Sequence, residues 1–289
     1  MSTLPNPSQQ LPPNQGIDEA FAGIAGAIPA SSIQETKRLK AAIIGPPKNG
    51  KSWFAATAPG KKLVYDFDDR AISLAGKPDT VIKTLRDTLS NPTVVAALES
   101  DISNFKYKKA QGKPIPDTYI FDTVSNLISN GIVNAYLKEN PNDGRKIKLG
   151  GTNPQQIGIS FDRINVTMRF LDYLLTEYSA LGNVIFVFHE RDEKDKAESK
   201  KDDIKYTGLV TVEPQFAANI LTLFNDVFRI TVRGSAIPNT LPTYNVYCRA
   251  NNEVTASTTL LVDAVEPPSL VDMIAKHEKR KLELQTKKS

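Results

Sequence analysis

The sequence is poor in the residues that form disulfides and zinc sites. Its 289 residues include one cysteine, Cys248, and two histidines. A lone thiol excludes an intramolecular disulfide and suits a reducing compartment, so we expect a cytoplasmic protein. So few sulfur and imidazole ligands also argue against a structural zinc site.

Long apolar runs and a recognisable targeting segment are also missing. No stretch reaches the roughly 18 consecutive apolar residues of a membrane-spanning helix, so we expect no membrane partner. The N-terminal segment has neither the basic region nor the apolar region of a signal peptide. The hydrophobic content of 40% is nevertheless enough for a sizeable core.

Residues 1–36 lack positive charge altogether and are rich in Pro, Ser, Gln and Asn. This composition predicts a flexible N-terminal arm, disordered over residues 1–16. Its apolar segment at 17–28 is expected either to be a nascent helix or to dock on a neighbouring subunit. A core domain over 37–264 and a basic C-terminal helix and tail over 265–289 complete the predicted organisation. The net charge of +4 is compatible with nucleic-acid binding but does not require it.

The octapeptide GPPKNGKS at 45–52 is the strongest signal in the sequence, because it fits the phosphate-binding pattern G-x-x-x-x-G-K-[ST]. Glycines in such a loop let successive backbone N–H groups turn toward an anion. The lysine supplies charge for the β- and γ-phosphates, and the serine hydroxyl is a ligand for Mg²⁺. We therefore predict a site for ATP and Mg²⁺ whose phosphate-binding residues are Gly45, Pro46, Pro47, Lys48, Asn49, Gly50, Lys51 and Ser52.

The residues around this loop have the strand–loop–helix pattern that the motif requires. An apolar strand is predicted at 39–44 before the loop and a short helix at 52–58 after it. The remaining predicted strands are 62–67, 118–122, 184–189, 226–232 and 243–249, and the remaining helices are about 79–101, about 124–138 and 158–181. This alternation predicts an α/β fold with a mainly parallel central sheet and helices on both faces.

Three strand ends supply further candidate site residues. The apolar strand that ends in Asp122 is a Walker B pattern, so Asp122 is the expected second metal residue, although a strand-end aspartate can simply cap the next helix. The strand after the loop helix runs into Asp68, our candidate base for activating water, with Asp66 and Asp69 as rivals. His189 follows a third strand and is a candidate sensor of the γ-phosphate.

In this order, these motifs resemble those of RecA-type ATPases. They are most similar to the compact phage-encoded RecA-like P-loop ATPases of single-strand annealing and recombination, which have an AAA-like nucleotide-binding domain. The resemblance covers about residues 37–255 and rests on GPPKNGKS, ATAPGKKLVYDFDD, YIFDTVSNL and VIFVFHERDEKD. It implies a RecA-like fold, a DNA-stimulated ATPase and a place in the host cytoplasm.

The resemblance also implies roles for particular residues. Asp68 stands where the family has a water-activating glutamate, and its shorter side chain is a departure that bears on hydrolysis rate. The loops at about 140–156 and 191–208 correspond to loops that line the DNA path. Arg249 corresponds to a basic residue that reaches the neighbouring subunit's nucleotide. The implied partners are single-stranded DNA, further copies of this chain and a single-strand DNA-binding protein; the candidate DNA-binding residues are Arg145, Lys146, Lys148 and Tyr206.

Three other functions are weighed against this interpretation. A small-molecule kinase needs arginines in its lid, whereas the 191–208 segment has Arg191 and many acids. A partitioning-type nucleotide switch places a signature lysine at the second loop position, where this chain has Pro46. A nucleotide-binding scaffold without hydrolysis stays open because of the shorter Asp68 side chain.

Overall fold

A computed structural model describes residues 38–140, 161–191, 208–209, 219–233, 242–250 and 256–287. The predicted N-terminal arm lies outside the described residues. So do the four candidate DNA-binding residues, Arg145, Lys146, Lys148 and Tyr206, and most of the two loops assigned to the DNA path. These predictions therefore stay predictions.

Within the described residues, a mixed sheet forms the centre of the fold, with strand order β3-β2-β4-β5-β1-β7-β8-β9 and β6 paired to β5. The strands from β3 to β7 in that order are parallel to their neighbours, whereas β8 and β9 are antiparallel. The bounds are β1 Lys40–Gly45, β2 Lys62–Asp66, β3 Thr80–Thr84, β4 Thr118–Asp122, β5 Asn183–Arg191, β6 Gly208–Leu209, β7 Asp226–Arg233, β8 Thr243–Tyr247 and β9 Val265–Glu266.

The central strands are buried on both sides, which explains why β1, β2 and β4 have apolar runs rather than an alternating pattern. The register aligns Gly45 at the end of β1 with His189 on β5, and Asp66 at the end of β2 with Asp122 at the end of β4. The carboxyl ends of these four strands therefore meet at one edge of the sheet. This is the edge where ligands bind in parallel α/β sheets.

Helices cover both faces of the sheet. The bounds are α1 Lys51–Ala55, α2 Val94–Ala110, α3 Val124–Asn126, α4 Val133–Glu139, α5 Phe161–Ser179 and α6 Leu270–Thr286, with a π-helical segment Leu127–Ile132 joining α3 to α4 and a 3₁₀ helix at Ala71–Leu74. One hydrophobic cluster contains side chains of α2, α3 and α5, and the other contains side chains of α1 and α6. The predicted α/β fold, with a mainly parallel central sheet and helices on both faces, is thus confirmed.

The helix predicted over about 79–101 is wrong in its first half. Residues 80–84 form β3, an edge strand paired with β2, and the helix α2 begins only at Val94. The segment Thr80-Val81-Ile82 favours a strand because β-branched side chains lose rotamer freedom in a helix. The Asp87 carboxylate then accepts hydrogen bonds from the backbone N–H groups of Thr93 and Val94, which fixes where α2 begins.

The C-terminal segment forms α6, and this helix packs on the domain. Ser269 caps its first turn by accepting a hydrogen bond from the Asp272 N–H at 3.3 Å. Leu270 and Met273 are buried in the same hydrophobic cluster as the phosphate-loop helix α1. The Leu270 N–H also donates to the Thr57 hydroxyl at 2.9 Å, so α6 is bonded directly to the turn that follows α1.

Candidate nucleotide-binding site

The phosphate-binding loop connects β1 to α1, as the motif requires. Gly45 is the last residue of the buried strand β1, and Lys51 is the first residue of α1. Gly50 has φ 75° and ψ 16°, and Lys48 has φ 66°, so the loop turns twice through the left-handed region. Such a succession of turns points backbone N–H groups toward a common centre.

Glycine is required at both fixed positions of the loop. A Cβ atom on Gly45 would lie 2.6 Å from the carbonyl oxygen of Ile230 on the neighbouring strand β7. A Cβ atom on Gly50 would lie 3.1 Å from the Tyr244 ring, in addition to the strain of the left-handed backbone. The two glycines therefore allow the loop to pass close to β7 and β8.

The Lys51 side chain is buried, with 4% of its surface exposed, and it folds back over its own loop. Its ammonium group donates a hydrogen bond to the Pro46 carbonyl oxygen at 2.6 Å. Burial lowers the pKa of Lys51 to about 8, although the nearby charges of Asp122, Glu190 and Asp68 oppose the shift. Lys51 thus brings its positive charge into a site lined by carboxylates.

Ser52 on the phosphate loop and Asp122 at the end of the Walker B strand line the same cavity, and hydrogen bonding by the Ser52 hydroxyl lowers the pKa of Asp122. Asp122 is buried, with 6% of its surface exposed, and burial and the negative charge of Asp66 raise its pKa. The hydrogen bond from Ser52 and the charge of Lys51 act in the opposite direction. A buried carboxylate held against a hydroxyl is an oxygen ligand pair of the kind that Mg²⁺ uses in P-loop proteins.

The residues present fit a bound Mg²⁺ ion that the protein holds through few ligands. A metal site built from protein alone is not found, because within the described ranges no cluster of three or more His, Cys, Asp or Glu side chains could hold a metal. Mg²⁺ in phosphate-transfer sites is typically held by one or two protein oxygens together with water and the substrate phosphates. Ser52 and Asp122 are the protein residues that would hold it here.

The structure distinguishes three acids at the end of β2 and in the loop after it. Asp66 is buried, and its carboxylate accepts hydrogen bonds from four successive backbone N–H groups, those of Asp68, Asp69, Arg70 and Ala71. Asp69 is exposed and forms an ion pair with Arg86 at 2.8 Å. The third acid, Asp68, lines the same cavity as Lys51.

Asp68 has an unusual electrostatic environment. Burial raises its pKa to about 6, and a side-chain hydrogen bond with Asp66 and the charges of Asp122 and Asp66 act in the same direction. The positive charge of Arg70 opposes the shift. A carboxyl group with a pKa near neutrality, in a cavity with a phosphate loop, suits a general base. Of these three acids, only Asp68 lines the cavity, so its position fits the candidate base.

His189 and Thr123 both line this cavity, and each has a buried polar side-chain atom. The Thr123 hydroxyl and the Nδ1 atom of His189 make no hydrogen bond within the described part of the chain. Burial lowers the pKa of His189 to about 4, and the positive charges of Lys51 and Arg70 contribute to the shift. Buried polar groups normally have partners, so these two atoms mark where a ligand or its water would be hydrogen-bonded.

Beside His189, an ion pair anchors the tip of β5. Glu190 is buried, and both of its oxygens contact the Arg229 guanidinium, at 2.9 and 2.7 Å. Arg229 lies on β7, on the other side of β1. This two-point pair therefore joins the two strands that flank the phosphate-loop strand.

The phosphate loop, Asp68, Asp122 and His189 line one cavity of about 660 Å³. Sequence reasoning missed part of its lining, including Arg70, Tyr244 and Trp53. Tyr244 lies on β8, and its ring contacts the loop at Gly50. Trp53 follows Ser52 on α1, and the Lys77 ammonium lies 5.0 Å from its ring centroid. No sequence motif marks these residues, because they come from separate elements.

Arg249 lies outside this cavity. It follows β8, and its guanidinium donates hydrogen bonds to the carbonyl oxygens of Thr258, at 3.1 Å, and Leu260, at 3.4 Å. The structure therefore brings together Lys51, Ser52, Asp68, Asp122 and His189, but not Arg249. A role in a neighbouring subunit's site stays a prediction for Arg249.

Comparisons with known proteins agree with the strand–loop–helix site. The model of a protein family described as an AAA domain matches residues 37–260. The chain belongs to the AAA domain family. Its match begins just before the phosphate-loop strand and extends past β8, so it includes every site residue described above.

Other comparisons add little to the family assignment. No curated protein matches the sequence. Among solved structures, the chain is similar to the flagellar accessory protein FlaH from Methanocaldococcus jannaschii, with 10% sequence identity, a TM-score of 0.35, and coverage of 80% of this chain and 83% of that one. The AAA domain supports nucleotide binding and an ATPase activity, with ATP and Mg²⁺ as the ligands the family generally uses. Over the described residues, no helix is both long and apolar enough to cross a membrane.

Proposed function

We propose that this AAA domain protein is a RecA-like ATPase of the phage-encoded recombination class that hydrolyses ATP on single-stranded DNA. In this proposal it acts in recombination, annealing or replication, as an oligomer of its own chain. The observation that carries the ATPase part is the content of one cavity. That cavity is lined by the buried Lys51, by Ser52 and Asp122, and by Asp68.

The arrangement accounts for the parts that hydrolysis needs. Lys51 and the loop N–H groups would bind the β- and γ-phosphates, and Mg²⁺, when bound, would neutralise phosphate charge. In hydrolysis a water oxygen bonds to the γ-phosphorus while the bond to the β,γ-bridging oxygen breaks, leaving its electron pair on ADP. The water proton passes to the Asp68 carboxylate, which must be ionised to accept it.

A connection to DNA is supported by the position of β5. His189 lies at the nucleotide cavity, and its backbone N–H donates to the Ser125 hydroxyl at 3.4 Å. The same strand continues to Arg191, where the segment that the resemblance assigns to DNA begins. A contact between His189 and the γ-phosphate would therefore act directly on that segment.

The remaining parts of the proposal concern partners. Self-association would place Arg249 near a neighbouring subunit's nucleotide if its two carbonyl hydrogen bonds are exchanged for phosphate contacts. Arg145, Lys146, Lys148 and Tyr206 are the proposed contacts to single-stranded DNA, through phosphate charge and base stacking. A single-strand DNA-binding protein is a further proposed partner, because it would bind the same single-stranded DNA.

The test is the steady-state ATPase rate with and without single-stranded DNA, with Lys51→Ala as the blank. We expect turnover in the wild type that rises when single-stranded DNA is added. Heparin serves as a control for simple polyanion binding, because it has charge without bases. Turnover that is indifferent to DNA would overturn the DNA part of the proposal. ATP binding without turnover would favour the scaffold function instead.

A further inference from the structure

Arg70 is a cationic residue of the nucleotide cavity that none of the motifs explains. It follows the two acids of the β2 loop and lines the cavity with Asp68, Lys51 and His189. Its charge acts on both Asp68 and His189, which places its guanidinium near the candidate base and the candidate sensor. Within the described residues its side chain has no hydrogen bond or ion pair to the protein.

The backbone that carries Arg70 is firmly held. The buried Asp66 carboxylate accepts hydrogen bonds from the N–H groups of Arg70, at 3.4 Å, and of its neighbour Ala71, at 3.2 Å. The adjacent acid Asp69 has φ 60°, and its carboxylate forms an ion pair with Arg86 rather than with Arg70. A fixed backbone with a side chain that has no hydrogen bond or ion pair to the described residues is suited to a ligand contact that needs no reorganisation of the loop.

We propose that Arg70 binds the γ-phosphate of the nucleotide bound to its own subunit. The proposal rests on the proposed ATPase function and names a second cation for that site. A guanidinium is planar, stays charged at any working pH and can donate two N–H groups to phosphate oxygens. Arg70 donates hydrogen bonds and transfers no proton, whereas Asp68 accepts the proton of the attacking water.

A cation at this position would complete the charge balance of the cavity. Asp122 and Asp68 supply negative charge there, and Lys51 opposes them from the phosphate loop. The γ-phosphate brings further negative charge close to Asp68, which would be unfavourable without a compensating cation. Because Arg249 is hydrogen-bonded to Thr258 and Leu260, Arg70 is the arginine already in place for this role.

The first experiment compares nucleotide affinities rather than rates. Dissociation constants of ADP and of a non-hydrolysable ATP analogue, both with Mg²⁺, are measured by calorimetry for wild type, Arg70→Ala and Arg70→Lys. We expect Arg70→Ala to weaken analogue binding about tenfold or more and to leave ADP binding unchanged, with Arg70→Lys in between. Arg169→Ala, which removes an exposed arginine of α5, is the matched control and should change neither constant.

The outcomes separate this proposal from the proposed function. Equal losses for ADP and the analogue, or no loss for either, would overturn the role of Arg70. A wild type that binds the analogue but shows no turnover would remove the ATPase function while the affinity comparison still decides on Arg70. A wild type that binds neither nucleotide would overturn both.

A mixing experiment tests whether Arg70 acts within its own subunit. Arg70→Ala chains have an intact loop lysine, and Lys51→Ala chains have an intact Arg70. If Arg70 acts in its own subunit, mixing the two variants restores no ATPase activity above the sum of their separate rates. Restored activity would show that a neighbour supplies the arginine, and would contradict the proposal.

Discussion

Asp66, the last residue of β2, accepts a hydrogen bond from the backbone N–H of Asp68, at 3.1 Å, in the loop that follows. The Asp66 carboxylate is buried under four backbone N–H groups, whereas Asp68 faces the nucleotide cavity. The two aspartates therefore have different roles, one structural and one at the ligand. Asp66 holds the loop in place, and Asp68 is left with a raised pKa and access to the ligand.

The first prediction concerns the pH dependence set by Asp68. A base with a pKa of about 6 must be ionised to accept a proton, so kcat/KM should rise with pH through about 6 and level off above it. Asp68→Asn should lower kcat by about 10²-fold or more and abolish this acidic limb, while nucleotide affinity is retained. ATPase rates measured from pH 5 to 8 check both points.

Two control variants show whether Asp68 is responsible for the limb. Asp69→Asn changes the adjacent exposed acid, at a left-handed position that asparagine tolerates, and should leave the profile unchanged. His189→Asn should keep the limb, because His189, with a pKa of about 4, is neutral throughout this range. Equal rates in wild type and Asp68→Asn would rule out Asp68 as the base.

The second prediction concerns Asp66 as the residue that fixes the loop. Asp66→Ala removes the acceptor of four backbone N–H groups and should lower the free energy of unfolding by about 1–3 kcal/mol. Asp66→Asn keeps one acceptor oxygen and should cost less. Urea unfolding monitored by circular dichroism measures both, and a stability of Asp66→Ala equal to that of Asp69→Asn would refute the structural role.

The third prediction concerns the charge of Lys51. Burial lowers its pKa to about 8, so the ammonium loses its proton in a growing fraction of molecules as the pH rises from 7 to 9. The affinity for an ATP analogue should therefore fall over this range, and Lys51→Ala should bind weakly at every pH. Calorimetry at pH 7, 8 and 9 provides the test, with Lys113→Ala as a control for an exposed lysine. Unchanged affinity between pH 7 and 9 would contradict it.

The sequence sufficed to predict the parts of the site that are continuous in the chain. The phosphate loop and Asp122 were predictable because each motif fixes its residues within a single strand and the turn that follows. The choice of Asp68 over Asp66 and Asp69 needed the structure, because it depends on which carboxylate the backbone N–H groups bind. Strand β3 was assigned to a helix from the sequence, although three consecutive residues, Thr80 to Ile82, have β-branched side chains that favour a strand.

Tyr244 and Arg70 could not have been found from patterns. Tyr244 reaches Gly50 because β8 pairs antiparallel with β7, which itself pairs with the loop strand β1. Arg70 lies at the cavity because the Asp66 carboxylate accepts a hydrogen bond from its backbone N–H, while the neighbouring Asp69 forms an ion pair with Arg86. The position of Tyr244 depends on pairing between distant strands, and that of Arg70 depends on local hydrogen bonds. Neither kind of contact can be deduced from a repeating pattern in the sequence.

The fourth prediction concerns the ion pair between Glu190 and Arg229, which joins β5 to β7 across the phosphate-loop strand. The Glu190 side chain is 5% exposed and the Arg229 side chain 18% exposed, so Glu190→Ala removes the carboxylate that faces a largely buried guanidinium. Glu190→Ala should therefore lower the free energy of unfolding by about 3–5 kcal/mol. The double variant Glu190→Leu with Arg229→Met should lose less than Glu190→Ala alone, because neither charge then remains buried without the other.

The exposed pair of Asp69 and Arg86 provides the contrast for this measurement. Their side chains are 62% and 58% exposed, so Asp69→Asn should change the free energy of unfolding by at most about 1 kcal/mol. Chemical unfolding of the three variants and wild type under one buffer condition gives the comparison. A double variant less stable than Glu190→Ala would show that the pair contributes net stability, so that strand β5 and its His189 depend on it for their position.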